Sequence, residues 1–178
     1  QTVGKDMHIM VDANTSFTVA EAVKRAKAFE PIDLFWLEEP LPADDVTGHA
    51  RLAQSTIIPI AVGETMYSAM QFQQYLHQNA VDIVQVDVAR VGGITPWLKV
   101  AHMAESFNVK VCPHFLMEIH VSLAAAIPNG LYVEHIPQLR GVTKSEIKIE
   151  KGMALAPTSV GLGIDWDFDA IENKRVKI

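Results

Sequence analysis

Three carboxylates close three short apolar runs of this chain: Asp12 in "MHIMVDAN" (7–14), Glu38 in "IDLFWLEEP" (32–40) and Glu64 in "TIIPIAVGET" (56–65). A carboxylate beside apolar residues is costly unless something pairs with it. Side chains alternate along a strand, so Met10, Asp12 and Asn14 are expected on one face, as are Leu34, Trp36 and Glu38, and Ile60, Val62 and Glu64. If those faces meet, three acids converge and repel one another at low dielectric. A hard divalent cation removes that repulsion, and oxygen-only donors point to Mg²⁺ before Zn²⁺. Glu39, on the opposite face, is expected to make a structural ion pair on the helix side.

Two further runs, "VDIVQVDVA" (81–89) and "VKVCPHF" (109–115), end on different chemistry, Asp87 and His114. A carboxylate on one imidazole nitrogen fixes the tautomer and raises the basicity of the other, which makes a general base or acid. Glu134 in "GLYVEHI" (130–136) reads either as a salt-bridged residue or, protonated, as a hydrogen-bond donor to a developing oxyanion. His120, in "MEIH", lies close enough in sequence to reach the same place, whereas His102 and His135 have no comparable argument. Taken singly, each acid reads as a solvated loop residue or a helix cap, and His114 equally as a core histidine. The regular spacing of the set favours the cluster.

The positioning elements follow from the same runs. Their polar ends, at 12, 38, 64, 87, 114 and 134, are 26, 26, 23, 27 and 20 residues apart. The intervals carry helix signals. Thr18 with Glu21 and Ser68 with Gln71 have capping-box spacing, and Thr95-Pro96 reads as an N-cap followed by proline at N1. "AEAVKRAKAF" and "LKVAHMAESF" show amphipathic spacing. Strand and helix alternating at this period predict βα units and a parallel sheet. A polar residue closing every strand favours a barrel, whose chemistry sits at many strand ends at once. No GxGxxG is present, and "RVGGIT" is a lone glycine pair, which disfavours a Rossmann sheet.

The 178 residues show six such strands, whereas a complete barrel has eight and about 250 residues. The rhythm predicts an incomplete barrel domain over 1–141. Residues 142–178 read as an irregular tail with a final strand or short helix. Since the sequence opens on Gln1 without methionine, a processed, cleaved or trimmed piece is expected.

Composition narrows the partners. With 49% hydrophobic residues, 20% charged and a formal net charge of −6 at interleaved positions, the chain reads as an ordinary globular protein without the basic stripe nucleic acid needs. Its apolar runs are too short to span a bilayer, and no signal peptide opens it. A single cysteine, Cys112, forbids an internal disulfide and fits a reducing cytoplasm. The methionines read as core filling.

With "VDAN", "LEEP", "GET", "DVARVGG", "PHF" and "VEHI" in this order and spacing, the whole chain resembles the enolase superfamily, and within it the mandelate racemase subgroup. That superfamily is already known for a Lys or His base working with Mg²⁺. The resemblance implies the third to eighth strands of a (β/α)7β barrel, with the tail packing on a capping domain. It implies Mg²⁺ on Asp12, Glu38 and Glu64, with Asn14 helping at metal or substrate. His114, paired with Asp87, becomes one acid/base, and Glu134 hydrogen-bonds the substrate carboxylate as it becomes an enediolate. Arg90 occupies the position of a catalytic lysine in a sister subgroup; it cannot deprotonate, which leaves the His–Asp dyad as the base and Arg90 as a substrate-binding residue. The subgroup's other base, on a Lys-x-Lys motif, and its capping domain would precede this chain.

"PHFLMEIHVSLAAAIPNGLYVEHIPQLR" resembles acid-sugar dehydratases acting on hexarates. The reaction expected is Mg²⁺-dependent removal of the proton α to a carboxylate, followed by loss of a β-hydroxyl as water. The rivals are a racemase or epimerase on the same fold, and a non-catalytic barrel fragment. A Schiff-base aldolase is disfavoured, since no lysine closes a strand. A cytoplasmic homo-oligomer taking a small carboxylate substrate is expected, and the bare segment is expected to be inactive.

Overall fold

The computed structural model describes residues 3–4 and 6–176. Five parallel strands pair in chain order: β1 Ile9–Asp12, β2 Leu34–Glu38, β3 Ile60–Val62, β4 Ile83–Val84 and β5 Lys110–Val111. Each is followed by a helix: α1 Val19–Phe29, α2 Val46–Ala53, α3 Ala69–His77, α4 Ile94–Ser106 and α5 Met117–Ala125. This is the alternation that the run spacing predicts. Among the described residues no helix is long and apolar enough to cross a membrane.

The sixth run departs from expectation. Only Gly130 bridges, in parallel, to Val111, and 131–136 continue without a ladder. The reason lies on the neighbouring strand, where Pro113 follows Cys112 and has no N–H to donate. After residue 142 the tail forms a hairpin of β6 Ile149–Glu150 and β7 Met153–Ala154, then α6 Phe168–Asn173. The Lys151-Gly152 corner takes positive φ at both residues (50° and 79°), as a two-residue hairpin turn requires.

Local sequence explains most of the helix starts. Thr18 caps α1 by accepting from Glu21 N (3.3 Å), and Ala22 and Ala26, one turn apart, are its fully buried face. Asp45 caps α2 by accepting from Gly48 N (2.9 Å). Ser68 stands at the start of α3 without a side-chain cap bond, and Gln71 instead accepts from Tyr67 N (2.7 Å). Nor is Thr95 a cap. Gly93, at φ +111°, starts α4, and Pro96 sits in its first turn, where its missing N–H is not needed.

Two apolar layers sandwich the sheet. Leu37, Ile60, Val62, Val84 and Val111 pack against buried helix residues such as Leu52, Phe72 and Trp97, each large side chain contributing about 1.5–3 kcal/mol. On the other face Trp36, Ala61, Ile83 and Cys112 form a small second cluster. The expected facing of β2 and β3 therefore needs correcting. Leu34 belongs to the helix layer while Trp36 faces inward, because the pairing of Ile9 with Leu34 and Met10 with Trp36 leaves Phe35 as an extra, bulged residue. Ile60 and Val62 also face the helices. Glu64 reaches the inner face only because the strand ends and turns at Gly63.

Gly63 is required twice over. Its φ is +150°, and a Cβ there would come within 2.8 Å of the Gln85 backbone. Gly63→Ala is expected to destabilise the fold by roughly 2–5 kcal/mol, combining backbone strain with overpacking. Chemical denaturation will check this, and a cost below about 1 kcal/mol would show that the strand end shifts freely.

His49, on α2, is completely buried, with its Nδ1 2.9 Å from Asp45 O and 3.0 Å from the Tyr75 hydroxyl. Burial depresses its pKa, only partly offset by Asp45, so the folded ring is neutral. The unfolded chain takes up the proton first as pH falls through about 6.5. The stability contribution is thus fully present above that pH. It is lost below it at about 1.4 kcal/mol per pH unit, until the depressed folded value is reached. Urea unfolding of wild type and His49→Gln across about pH 7 to 5.5 will read the difference in slope, and equal slopes would show that His49 is charged in place.

Candidate active site

At the carboxyl ends of the strands lies a cleft of about 360 Å³, bounded by Asp12, Glu38, His114 and Glu134. Its floor is made by residues two positions earlier on each run: Met10, Trp36, Cys112 and Tyr132, with Gln85 two before Asp87. Period-two alternation generates both sets, one polar and one lining the floor.

Glu38 accepts a hydrogen bond from Trp36 Nε1 (2.9 Å). Burial raises its pKa, with Asp12 and Glu134 adding to the rise and hydrogen bonds from Gln85 and Trp36 opposing it. Asp12 accepts from the backbone N–H of Asn14 (2.7 Å), which is held in a left-handed conformation at φ 44°. Glu64 has its Oε2 3.6 Å from His114 Nε2 and its Oε1 3.9 Å from Arg90. Burial pushes its pKa up to about 7; His114 counters this, while the charges of Glu39, Glu38 and Asp12 reinforce it. Mutual repulsion of this kind marks a donor set suited to a hard cation, and all the donors are carboxylate oxygens. The side chains do not converge on one centre, however. Among the described residues no three acids, histidines or cysteines stand close enough to hold an ion, each carboxylate being turned to the neighbours just named.

The dyad is formed. His114 Nδ1 lies 2.9 Å from Asp87 Oδ2, while Asp87 Oδ1 accepts from Ala89 N (2.7 Å) and Arg90 N (3.1 Å). Burial alone would raise the Asp87 pKa, but the bonds from His114 and the two N–H groups outweigh it and hold the carboxylate ionised. His114 shows the reverse balance. Burial lowers its pKa, yet Asp87, Glu64 and Glu134 together raise it above the usual histidine value. With Nδ1–H committed to Asp87, Nε2 is the atom left to carry a proton toward the carboxylate cluster.

Other expected residues take more specific places. Glu134 accepts from Phe115 N (2.7 Å) at the rim of the cleft. Arg90 donates to the backbone carbonyl of Glu64 (2.6 Å), bracing that turn. Asn14 is exposed and outside the cleft lining, so its visible contribution is its backbone bond to Asp12. His120 does not line the cleft: it is completely buried, its Nε2 accepting from Val88 N and its Nδ1 bonded to Phe115 O. The sequence reading brings His120 to the same place as the acids; the structure places its ring beneath the loops, behind the cleft lining, because α5 turns it that way. Glu39 makes no ion pair among the described residues; it accepts from the Thr65 hydroxyl (2.6 Å), and its other oxygen is buried without a partner. Trp36 and Gln85, which steady Glu38, were not anticipated. Their signal was the same two-residue step that connects floor to rim.

A run of βα units with an acidic cluster and a His–Asp dyad at the strand ends defines a (β/α)-barrel domain whose site lies at the carboxyl end of the sheet. Residues 1–170 match the family described as "Enolase C-terminal domain-like", and the chain belongs to that family. It has the parallel strands of that family's (β/α)7β barrel. Among solved structures, L-talarate dehydratase from a Polaromonas species, complexed with Mg and L-glucarate, superposes with a TM-score of 0.91 at 41% identity, covering 96% of this chain and 48% of that one. Among curated proteins, the L-talarate/galactarate dehydratase of Salmonella typhimurium is 37% identical over 163 residues, 92% of this chain and 41% of that protein. A racemase from Streptomyces coelicolor with bound magnesium superposes with a TM-score of 0.90 at 30% identity, covering 96% of this chain and 47% of that one. The relatives are thus mainly acid-sugar dehydratases, with racemases and cycloisomerases among them. The chain spans about half the length of the relatives it matches.

Proposed function

We propose that this chain supplies the catalytic barrel residues of a Mg²⁺-dependent acid-sugar dehydratase acting on a hexarate such as galactarate or talarate. The observation that carries the proposal is the formed His114–Asp87 pair: His114 lines the cleft together with Asp12 and Glu38, and its Nε2 lies 3.6 Å from Glu64 Oε2. Asp12, Glu38 and Glu64, once their side chains turn toward a common centre, would hold the ion, which would supply electrophilic neutralisation of the substrate carboxylate. Asp87 fixes the His114 tautomer and stabilises the imidazolium. His114 Nε2 exchanges a proton with one face of the substrate: it gives the proton to the departing β-hydroxyl, which leaves as water, or takes one from the α-carbon. Glu134, tied to Phe115 N, places a carboxyl group where charge builds on the substrate oxygens. The Trp36, Cys112 and Tyr132 floor limits water beneath the reacting carbon.

Incubating the intact enzyme with Mg²⁺ and galactarate in D₂O, followed by NMR, tests this reading. Deuterium at the α-carbon together with keto acid is the expected result. Exchange without keto acid across a panel of hexarates would replace dehydration by racemisation or epimerisation, in line with the racemase relative. No exchange with any hydroxy acid would remove the proton-transfer role altogether.

A further inference from the structure

We infer that His120 is a positioning residue that locks the two halves of the proton-transfer pair in register, through a backbone group of the residue that follows each of them. The inference rests on the dyad reading given above. Asp87 and His114 follow different strands, β4 and β5, and are 27 residues apart in sequence, so a separate device is needed to hold their loops together.

His120 supplies one. Its ring, fully buried one turn into α5, accepts from Val88 N through Nε2 (3.0 Å). Through Nδ1–H it donates to Phe115 O (2.8 Å). Val88 is the residue after Asp87, and Phe115 the residue after His114. One imidazole therefore spans the two loops, a single residue from each dyad member. The loop after His114 needs such a tie. Phe115 and Leu116 both adopt positive φ (62° and 22°), a strained pair for non-glycine residues. The Phe115 N–H is already taken by Glu134 (2.7 Å), so His120 secures its remaining polar group. The Trp97 ring, 6.1 Å from that of His120, packs beside it.

The chemistry also selects histidine. The site requires one donor and one acceptor on opposite sides of a compact ring, which neutral imidazole provides in its Nδ1–H tautomer. Protonation would replace the acceptor with a second donor and break the Val88 contact. Burial, which lowers the ring's pKa, is consistent with the neutral form.

Three variants of the intact enzyme test the inference: His120→Phe, which removes both bonds; His120→Asn, which keeps a donor near Nδ1; and His120→Gln, which keeps an acceptor near Nε2. Because His120 does not line the cleft, kcat is expected to fall about 10- to 100-fold in the Phe variant with KM changed by less than about threefold, a misplacement effect. The Asn and Gln variants are expected to fall between it and wild type. A second readout is independent of turnover. The hydrogen-bonded Nδ1 proton of His114, followed by NMR, is expected to move or broaden in all three. Should the Phe variant fail to fold, the two amide variants decide. A His114 proton signal unmoved in the folded variants, or lowered stability with wild-type kcat, would reduce His120 to a structural histidine and overturn the inference. If His114→Asn itself turns over like wild type, the catalytic reading fails, and the Nδ1 signal still decides the positioning claim.

Discussion

His114→Asn is expected to lower kcat by about 10²- to 10⁴-fold, the usual worth of a positioned general acid or base. Asparagine keeps approximate shape and can still donate to Asp87 Oδ2, which lies 2.9 Å from the histidine nitrogen. It cannot carry a proton on the other side of the ring. Deuterium exchange on the substrate face served by His114 should therefore stop. Mg²⁺ binding should survive, since the imidazole is not among the proposed ligands. Asp87→Asn should act in the same direction but less completely, because it disturbs the tautomer and basicity of His114 without removing the ring. Equal turnover by His114→Asn and wild type, in a preparation with unchanged fold, would defeat the mechanism.

The second large effect is expected at Glu38. Glu38→Gln removes one anionic oxygen donor of three while leaving an acceptor near the Trp36 Nε1 that now bonds to it. Calorimetric titration of the intact enzyme should show Mg²⁺ affinity weakened by at least about a hundredfold, beyond the 10- to 100-fold typical of residues that only support a ligand. The fold should be little affected. The lost carboxylate is one that burial and neighbouring charge already disfavour in its ionised form. An unchanged affinity would take Glu38 out of the ligand set, and Asp12 and Glu64 would then have to be tested in turn.

What could be read from sequence alone was whatever depended on period and chain order. The apolar runs at 9–12, 34–38 and 60–62 are strands, and the intervals between them carry helices, because the apolar spacing admits little else. Asp87 and His114 could be paired in advance, since neighbouring parallel strands bring their ends together. The misreadings all concern events that periodicity does not encode. The bulge at Phe35 and the turn at Gly63 reset which residues face inward, and each depends on the neighbouring strand. Pro113 withdrew pairing from a run whose own composition was fully strand-like. His120 sits in the same motif as His114 and looked like a cleft residue. Only the direction of α5 shows that it serves the loops from behind.

Cys112, in the inner cluster with Trp36, Ala61 and Ile83, makes the cleft floor observable. Burial pushes its thiol up to about 11, so at neutral pH only about one molecule in ten thousand carries the reactive thiolate. It is also the chain's sole sulfhydryl. The rate at which a maleimide or disulfide reagent consumes it is therefore a clock for transient loosening of the cleft floor, free of signal from any other residue of this chain. Measured against denatured protein, that rate gives the opening equilibrium of the floor itself, separately from global unfolding. Anything that settles in the cleft above should slow the clock, which provides a binding assay that needs neither turnover nor a labelled ligand.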